Sequence, residues 1–229
     1  MNGRRAALPR RGKVRTGRGL GTLIVIAKEP VPGRVKTRLV PPLTHEQAAQ
    51  VAAAALRDTL RAASSVRARV HLLALDGVPG AWLPRGWRVV AQPEGGLDER
   101  LAAAFAAADR RRPALLVGMD TPQATPVQLA AFDPERYDAA LGLAADGGYW
   151  AIGLREPAVA GEVIPGVAMS TSQTGAEQLH RLRAAGLRVQ LLDELADADT
   201  IDVAEQVAAL APASEFAAAL GSLQLRAAG

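Results

Sequence analysis

A chain of 229 residues that is 49% hydrophobic, with three Trp, two Tyr and three Phe, holds enough apolar material for one large domain built mainly on alanine and aliphatic side chains. It has no cysteine, which excludes disulfides and thiolate metal sites, and no apolar run nears the roughly 20 residues that span a bilayer. The formal charge of +4 is uneven: seven of the 27 Lys and Arg, namely Arg4, Arg5, Arg10, Arg11, Lys13, Arg15 and Arg18, fall in residues 1–21 without one acid, leaving 20 bases against all 23 acids.

Residues 1–21 therefore read as a basic, disordered tail, because Gly, Pro and Arg cannot build a core. The tail has no aromatic side chain to stack on a base, so nucleic acid is not the expected partner. It also lacks an apolar signal core, and the expected compartment is the cytoplasm.

A single domain is expected over residues 22–229. Thr22–Ala27 is a β-branched apolar run of buried-strand type. A polar turn follows, and Thr44 with Gln47 three residues later forms a capping-box pattern opening a helix to about Ala63. Strands are expected at Arg69–Leu75, Trp87–Ala91 and Ala114–Gly118, with a helix at Glu99–Asp109 capped by Asp98. Thr125 and Gln128 repeat the capping box with Pro126 at the first helical position. Asp138–Leu143 and Tyr149–Leu154 flank the turn Asp146-Gly147-Gly148, a hairpin signal. A helix Thr174–Ala185 ended by Gly186, a strand Leu187–Leu192 and helices Ile201–Leu210 and Ser214–Leu223 complete the chain. Alternation at this spacing predicts an α/β fold, a three-layer α/β/α sandwich on a mostly parallel mixed sheet. Ligands of such sheets bind where loops leave the strands' carboxyl ends, which directs attention to residues 28–38, 92–100, 119–122 and 146–149.

The segment Ala27–Leu39 leaves the first strand and packs Lys28, Arg34, Lys36 and Arg38 around Gly33, with Pro30 and Pro32 fixing its path. Glycine admits backbone N–H groups close to phosphate, and the bases neutralise its charge. The Walker A spacing is absent, and a solvated basic loop has the same composition. Asp120 ends an uncharged strand, where a carboxylate needs a cation, or else it caps the following turn. Asp199, in Asp197-Ala198-Asp199-Thr200, is either a second metal carboxylate or, like Thr200, a helix cap. Asp146, Gly147, Gly148 and Tyr149 offer either an acceptor site or a plain hairpin turn. Gln92, Gly96 and Arg100 offer polar and backbone groups to a base edge, or simply a loop and cap. Ser170-Thr171-Ser172 is an anion-binding candidate or a pre-helix loop. The three histidines, His45, His71 and His180, are dispersed without metal-ligand spacing. No G-x-S-x-G elbow signals a hydrolase triad.

Lys28-x-Pro30-x-Pro32-Gly33-x-Val35-Lys36-Thr37-Arg38-Leu39, Leu97-x-x-Arg100-Leu101, Gly118-x-Asp120-x-Pro122 and Asp146-Gly147-Gly148-Tyr149, in that order, resemble the bacterial "glycosyltransferase A" proteins, associated with radical-SAM and arsenosugar chemistry. The resemblance covers about residues 22–210. Lys36-Thr37-Arg38-Leu39 is also similar to 2-phospholactate and phosphoenolpyruvate guanylyltransferases, and both groups share the GT-A-like nucleotide-diphospho-sugar transferase fold. By resemblance, Ala27, Lys28, Gly33, Arg34, Lys36, Thr37 and Arg38 cradle a nucleotide, and Asp120 holds Mg2+ or Mn2+. Asp199-Thr200 resembles the closing Asp-Thr of CMP-type nucleotidyltransferases, where the Asp is a second metal ligand. Met119, Gln123 and Asp202-Val203 depart from the family pattern.

Three functions follow as expectations. The first is nucleotidyl transfer from a triphosphate to a small phosphate, phosphonate or carboxylate acceptor, with Lys36, Arg38 and Asp120 as catalytic groups. The second is glycosyl transfer from a nucleotide sugar, with Asp146 near the sugar or acceptor. The third is nucleotide binding without catalysis. Four bases in the first loop rank the triphosphate first.

Overall fold

The computed structural model describes residues 19–227; the basic stretch 1–18 of the expected tail lies outside them. Strand β1 (Leu20–Lys28) starts two residues before the expected Thr22 and is buried along its length except at Lys28. After a 3-10 turn at Thr37–Leu39 come α1 (His45–Ser64), β2 (Ala68–Asp76), β3 (Arg88–Ala91), α2 (Leu97–Ala106), β4 (Ala114–Val117) and the single turn α3 (Pro126–Leu129). Then follow β5 (Ala139–Ala144), β6 (Tyr149–Leu154), the short α4 (Ala160–Val163), α5 (Thr174–Ala184), β7 (Val189–Leu195), α6 (Ile201–Leu210) and α7 (Glu215–Ala227).

The strands form one sheet in the order β3-β2-β1-β4-β6-β5-β7. β1 pairs in parallel with β2 and β4, β2 with β3, and β5 with β7. β6 is antiparallel to both β4 and β5. The expected mixed, mostly parallel sheet is thus present, with β6 as its reversed member.

Alternate residues of β1 feed two cores, as the two-residue period of a strand requires. Leu23, Val25 and Ala27 pack with α1 through Ala52, Leu56 and Leu60, while Ile24 and Ile26 pack with α2, α4 and α5 through Phe105, Val163 and Leu182. Helix α1 is buried on a second face as well: Ala48, Val51 and Ala55 meet Ala204, Phe216 and Leu220 of α6 and α7. Alanine lets the sheet on one side and α6 and α7 on the other approach α1 closely, which accounts for the alanine-rich, aromatic-poor composition.

Both capping boxes form. Thr44 Oγ1 accepts from Gln47 N at 3.2 Å and Gln47 Oε1 from Thr44 N at 2.7 Å; Thr125 and Gln128 do the same for α3. Asp98 does not cap α2. Gly96 occupies the cap position and its N–H donates to Glu99 Oε2 at 2.9 Å. Asp98 Oδ2 instead accepts from Gly166 N at 2.7 Å, and that bond holds its carboxyl below the usual range.

Asp58 joins α1 to α7. It is 6% exposed, accepts from Glu215 N at 3.2 Å and Phe216 N at 2.8 Å, and pairs with Arg61 at 2.7 Å. Asp58→Ala strands two amide donors at the start of α7, and we expect a loss of about 2–3 kcal/mol in the denaturant midpoint analysis. A loss under about 0.5 kcal/mol would remove Asp58 from the joint.

Candidate functional site

The parallel register aligns Lys28 with Asp76 and Leu75 with Ala91, so β1, β2 and β3 end together. β4 and β5 end on the same edge, where the antiparallel β6 begins. All four loops anticipated from the sequence leave this edge and surround a cleft of about 770 Å³.

Lys36 is at its centre. The bend after β1 closes through Arg34 N to Val31 O at 3.0 Å, and Lys36 takes a left-handed backbone with φ 48°. Its neighbours Val35 and Leu39 are anchored in two different apolar clusters. Between those anchors the lysine side chain turns inward, and it is 2% exposed. Its Nζ lies 2.5 Å from Asp120 Oδ1 and 2.9 Å from Asp199 Oδ1, while Arg38 Nη1 lies 3.4 Å from Asp199 Oδ2. The cationic bend and the strand-end carboxylate therefore share one cleft, as the sequence reading required.

Burial opposes the charge on Lys36, but Asp120 and Asp199 outweigh it and hold the ammonium above its ordinary range. Burial likewise pushes Asp199 up, and Lys36 with Arg38 pulls it below the carboxylate range. For Asp197 the balance is reversed: burial first, then the fields of Asp120, Asp146 and Asp199, outweigh the field of Lys36 and raise it to about 7. The Asp120 and Asp199 loops are tied directly, by Ala198 N to Asp120 O at 3.0 Å and Gln123 Nε2 to Ala196 O at 2.7 Å. Gln123, which departs from the motif pattern that the sequence resembles, thus joins the two carboxylate loops. Met119, the other departure next to Asp120, is buried and its Sδ accepts from Lys28 N at 3.4 Å.

A second cationic group faces the cleft from the β2 and β3 ends. Asp76 accepts from Arg34 Nη2 at 3.1 Å and from Arg100 Nη1 at 3.3 Å, and Arg100 Nε donates to Gly95 O at 3.0 Å. Gln92 spends its amide hydrogens on Ala27 O at 2.8 Å and Ala74 O at 2.9 Å, locking β1 to β2. On the opposite wall, Asp146 Oδ1 accepts from Gly148 N at 2.9 Å within the hairpin turn. Tyr149 donates its hydroxyl to Gln178 Oε1 at 3.4 Å, and burial raises its pKa above the ordinary range.

Of the residues singled out in the sequence, Ala27, Lys28, Arg34, Lys36, Thr37, Arg38, Gln92, Arg100, Asp120, Asp146, Gly148, Tyr149 and Asp199 line the cleft. Gly33, Gly96 and Gly147 stand off its wall and shape the turns behind it. Ser170, Thr171 and Ser172 line it too, beside Gly148. Three residues escaped the sequence reading. Asp76 looks like an ordinary strand end, and Asp197 is hidden by the more suggestive Asp199. Thr121 also lines the cleft, and its hydroxyl is buried without a hydrogen-bond partner among the described residues. His71 is held in the structure away from the cleft: its Nε2 lies 3.0 Å from Ala63 O and its ring 5.2 Å from that of Trp87.

Among the described residues, no group of three or more His, Asp or Glu is arranged to hold a metal ion. Asp120 and Asp199 nevertheless converge on a single cation, the Lys36 ammonium, and each is about two-fifths exposed to the cleft. That pair fits a hard dication of the kind completed by phosphate oxygens, since Mg2+ commonly takes one or two carboxylates plus substrate.

A search among curated proteins finds no match to the chain. A crystal structure from Desulfovibrio desulfuricans G20, provisionally described as a nucleotide-diphospho-sugar transferase, is 27% identical over 88% of this chain and 96% of its own, with a TM-score of 0.72. The manganese complex of Rv0371C from Mycobacterium tuberculosis H37Rv is 22% identical over 82% of this chain and 97% of its own, with a TM-score of 0.51. The CMP:2-keto-3-deoxy-manno-octonic acid synthetase complexed with CTP is 15% identical over 83% and 98%, with a TM-score of 0.50. The last two show likeness of fold. No helix among the described residues is long and apolar enough to cross a membrane. A family model for an uncharacterized protein conserved in bacteria (DUF2064) matches residues 45–171, more than half the chain, and the chain belongs to that family. The matched span includes Asp120 and Asp146 and stops short of both Lys36 and Asp199.

Proposed function

We propose that this member of the family is a nucleotidyltransferase, which moves a nucleoside monophosphate from a triphosphate to a small phosphate, phosphonate or carboxylate acceptor. The observation that carries the reading is the convergence of Lys36, Asp120 and Asp199 from three separate loops on one cleft at the carboxyl edge of the sheet. An acceptor oxygen bonds to the α-phosphorus, the bond from that phosphorus to the α–β bridging oxygen breaks, and the electron pair leaves on pyrophosphate. Little covalent work falls to the protein, so positioning and charge supply most of the rate.

The bend from Ala27 to Arg38 holds the nucleotide. Arg34, Lys36 and Arg38 neutralise charge on the phosphates, and Asp76 keeps Arg34 and Arg100 side by side at the outer wall. Asp120 and Asp199 would hold Mg2+ or Mn2+, which when bound draws negative charge from the phosphate oxygens. The manganese complex of the Mycobacterium tuberculosis protein, alike in fold, is consistent with a divalent ion here. Asp146, Gly148 and Tyr149, with the 170–172 loop beside them, form the acceptor wall, and Gly147 sets its turn.

Glycosyl transfer is the second reading. It is favoured by the Desulfovibrio protein's description and by the exposed Asp146 on the cleft wall. Nucleoside triphosphates and nucleotide sugars, each with Mg2+, separate the two. Melting temperature should rise with the bound class, because a ligand that binds only the native state stabilises it. Pyrophosphate release from a triphosphate, given a panel of small phosphorylated, phosphonate and carboxylate acceptors, is the expected result. Release of a nucleoside diphosphate from a sugar donor, without pyrophosphate, replaces the first reading by the second. Binding with no turnover of either class rejects both in favour of a non-catalytic nucleotide-binding protein.

A further inference from the structure

The carboxylate pair assigned to the metal already holds a cation of the chain's own. Lys36 Nζ is 2.5 Å from Asp120 Oδ1 and 2.9 Å from Asp199 Oδ1, and Arg38 adds a guanidinium 3.4 Å from Asp199 Oδ2. The lysine side chain is 2% exposed, covered by carboxylates that are themselves 42% and 39% exposed. A dication on the same two carboxylates would meet the ammonium at short range, where water screens like charges poorly. Lysine is a point charge on a flexible four-carbon stem, so it can leave without moving the backbone bend. A divalent ion competes with it for the carboxylates, and an anion in the cleft would help to draw it away, since Lys36 lines that cleft together with Arg34 and Arg38.

We propose that Lys36 is a resident cation that holds Asp120 and Asp199 in the ligand-free protein and yields them to a divalent ion when a polyphosphate takes the ammonium. Metal and polyphosphate then bind with positive coupling, and the coupling is reciprocal: each tightens the other by the same factor. The proposal rests on the reading of Asp120 and Asp199 as the metal pair.

The test is Mn2+ binding to the full chain, followed by calorimetry and by the paramagnetic resonance of free Mn2+, without nucleotide. Lys36→Met is expected to bind Mn2+ about tenfold or more tightly than the natural chain, within the usual range of coupling factors. An α,β-methylene nucleoside triphosphate, corrected for the Mn2+ it holds in solution, is expected to raise the affinity of the natural chain far more than that of the variant. Equal or weaker Mn2+ binding by Lys36→Met overturns the resident-cation proposal and leaves the metal pair standing. No Mn2+ binding by either chain, with or without the analogue, overturns both.

A measurement on the natural chain alone covers the case in which the variant does not fold. Reductive methylation mapped by mass spectrometry should find Lys36 slow to react in metal-free protein and faster with saturating Mn2+, because the displaced ammonium then faces the cleft. An unchanged methylation rate on Mn2+ binding overturns the proposal.

Discussion

Asp120→Asn is expected to reduce pyrophosphate release by at least about a hundredfold, the scale on which removing one preorganised charge acts on such chemistry. The amide keeps the size of the carboxylate and loses its charge, so a divalent ion at the proposed pair would be left with Asp199 alone. Folding should survive. The contact that ties this loop to its neighbour uses the Asp120 backbone oxygen, which accepts from Ala198 N at 3.0 Å, and the side chain is 42% exposed. Lys36 also retains Asp199 at 2.9 Å. A melting temperature within about 2–4 °C of the natural chain is therefore the accompanying expectation. Turnover at the natural rate, measured with saturating triphosphate and Mg2+, would take Asp120 out of the machinery altogether.

The reason so much of this site was legible beforehand is that its signals are local. A charged residue directly after an apolar run marks a strand end, and Asp120 shows it. Four bases around a glycine mark a cationic bend at the strand's end. Two capping boxes, at Thr44 and Thr125, fix helix starts within a few residues. What stayed hidden depends on distance along the chain. Lys36 and Asp199 are 163 positions apart, and no spacing rule joins them. Lys36 read as a phosphate ligand, and its pairing with both carboxylates emerged only from the folded loops. Asp76 joins Arg34 and Arg100 for the same non-local reason. The Asp98 error was local but ambiguous: Gly96 with Glu99 makes the same three-residue spacing, and a glycine cap leaves no side-chain signal. The insertion of β6 between β4 and β5 was also out of reach. A hairpin pattern pairs β5 with β6 and says nothing of which further strand β6 will meet. The short turns at 157–163 are too brief to show a helical period.

The wall proposed to bind the acceptor gives the largest expected structural effect. Gly147 has φ +91°, in the left-handed range that favours glycine, and a Cβ there would lie 2.2 Å from the Ser172 carbonyl oxygen. The obstacle is backbone, which cannot swing aside like a side chain. The neighbouring segment is equally tight: Gly175 N donates to Gly147 O at 2.8 Å, and a Cβ on Gly175 would lie 2.5 Å from Gly148 O. Two loops thus close on each other through glycines, and this contact sets the place of Asp146 and of residues 170–172. Gly147→Ala is expected to cost about 2–4 kcal/mol, the left-handed strain plus an overpacked contact. Gly186→Ala separates the two contributions, because φ is +77° there and nothing lies within 4 Å of the added carbon. That control should lose only about 1–2 kcal/mol, from strain alone. Denaturant unfolding of both variants reads the difference directly. If Gly147→Ala costs no more than Gly186→Ala, the two loops are not held by this contact, and this side of the cleft must be positioned by something else.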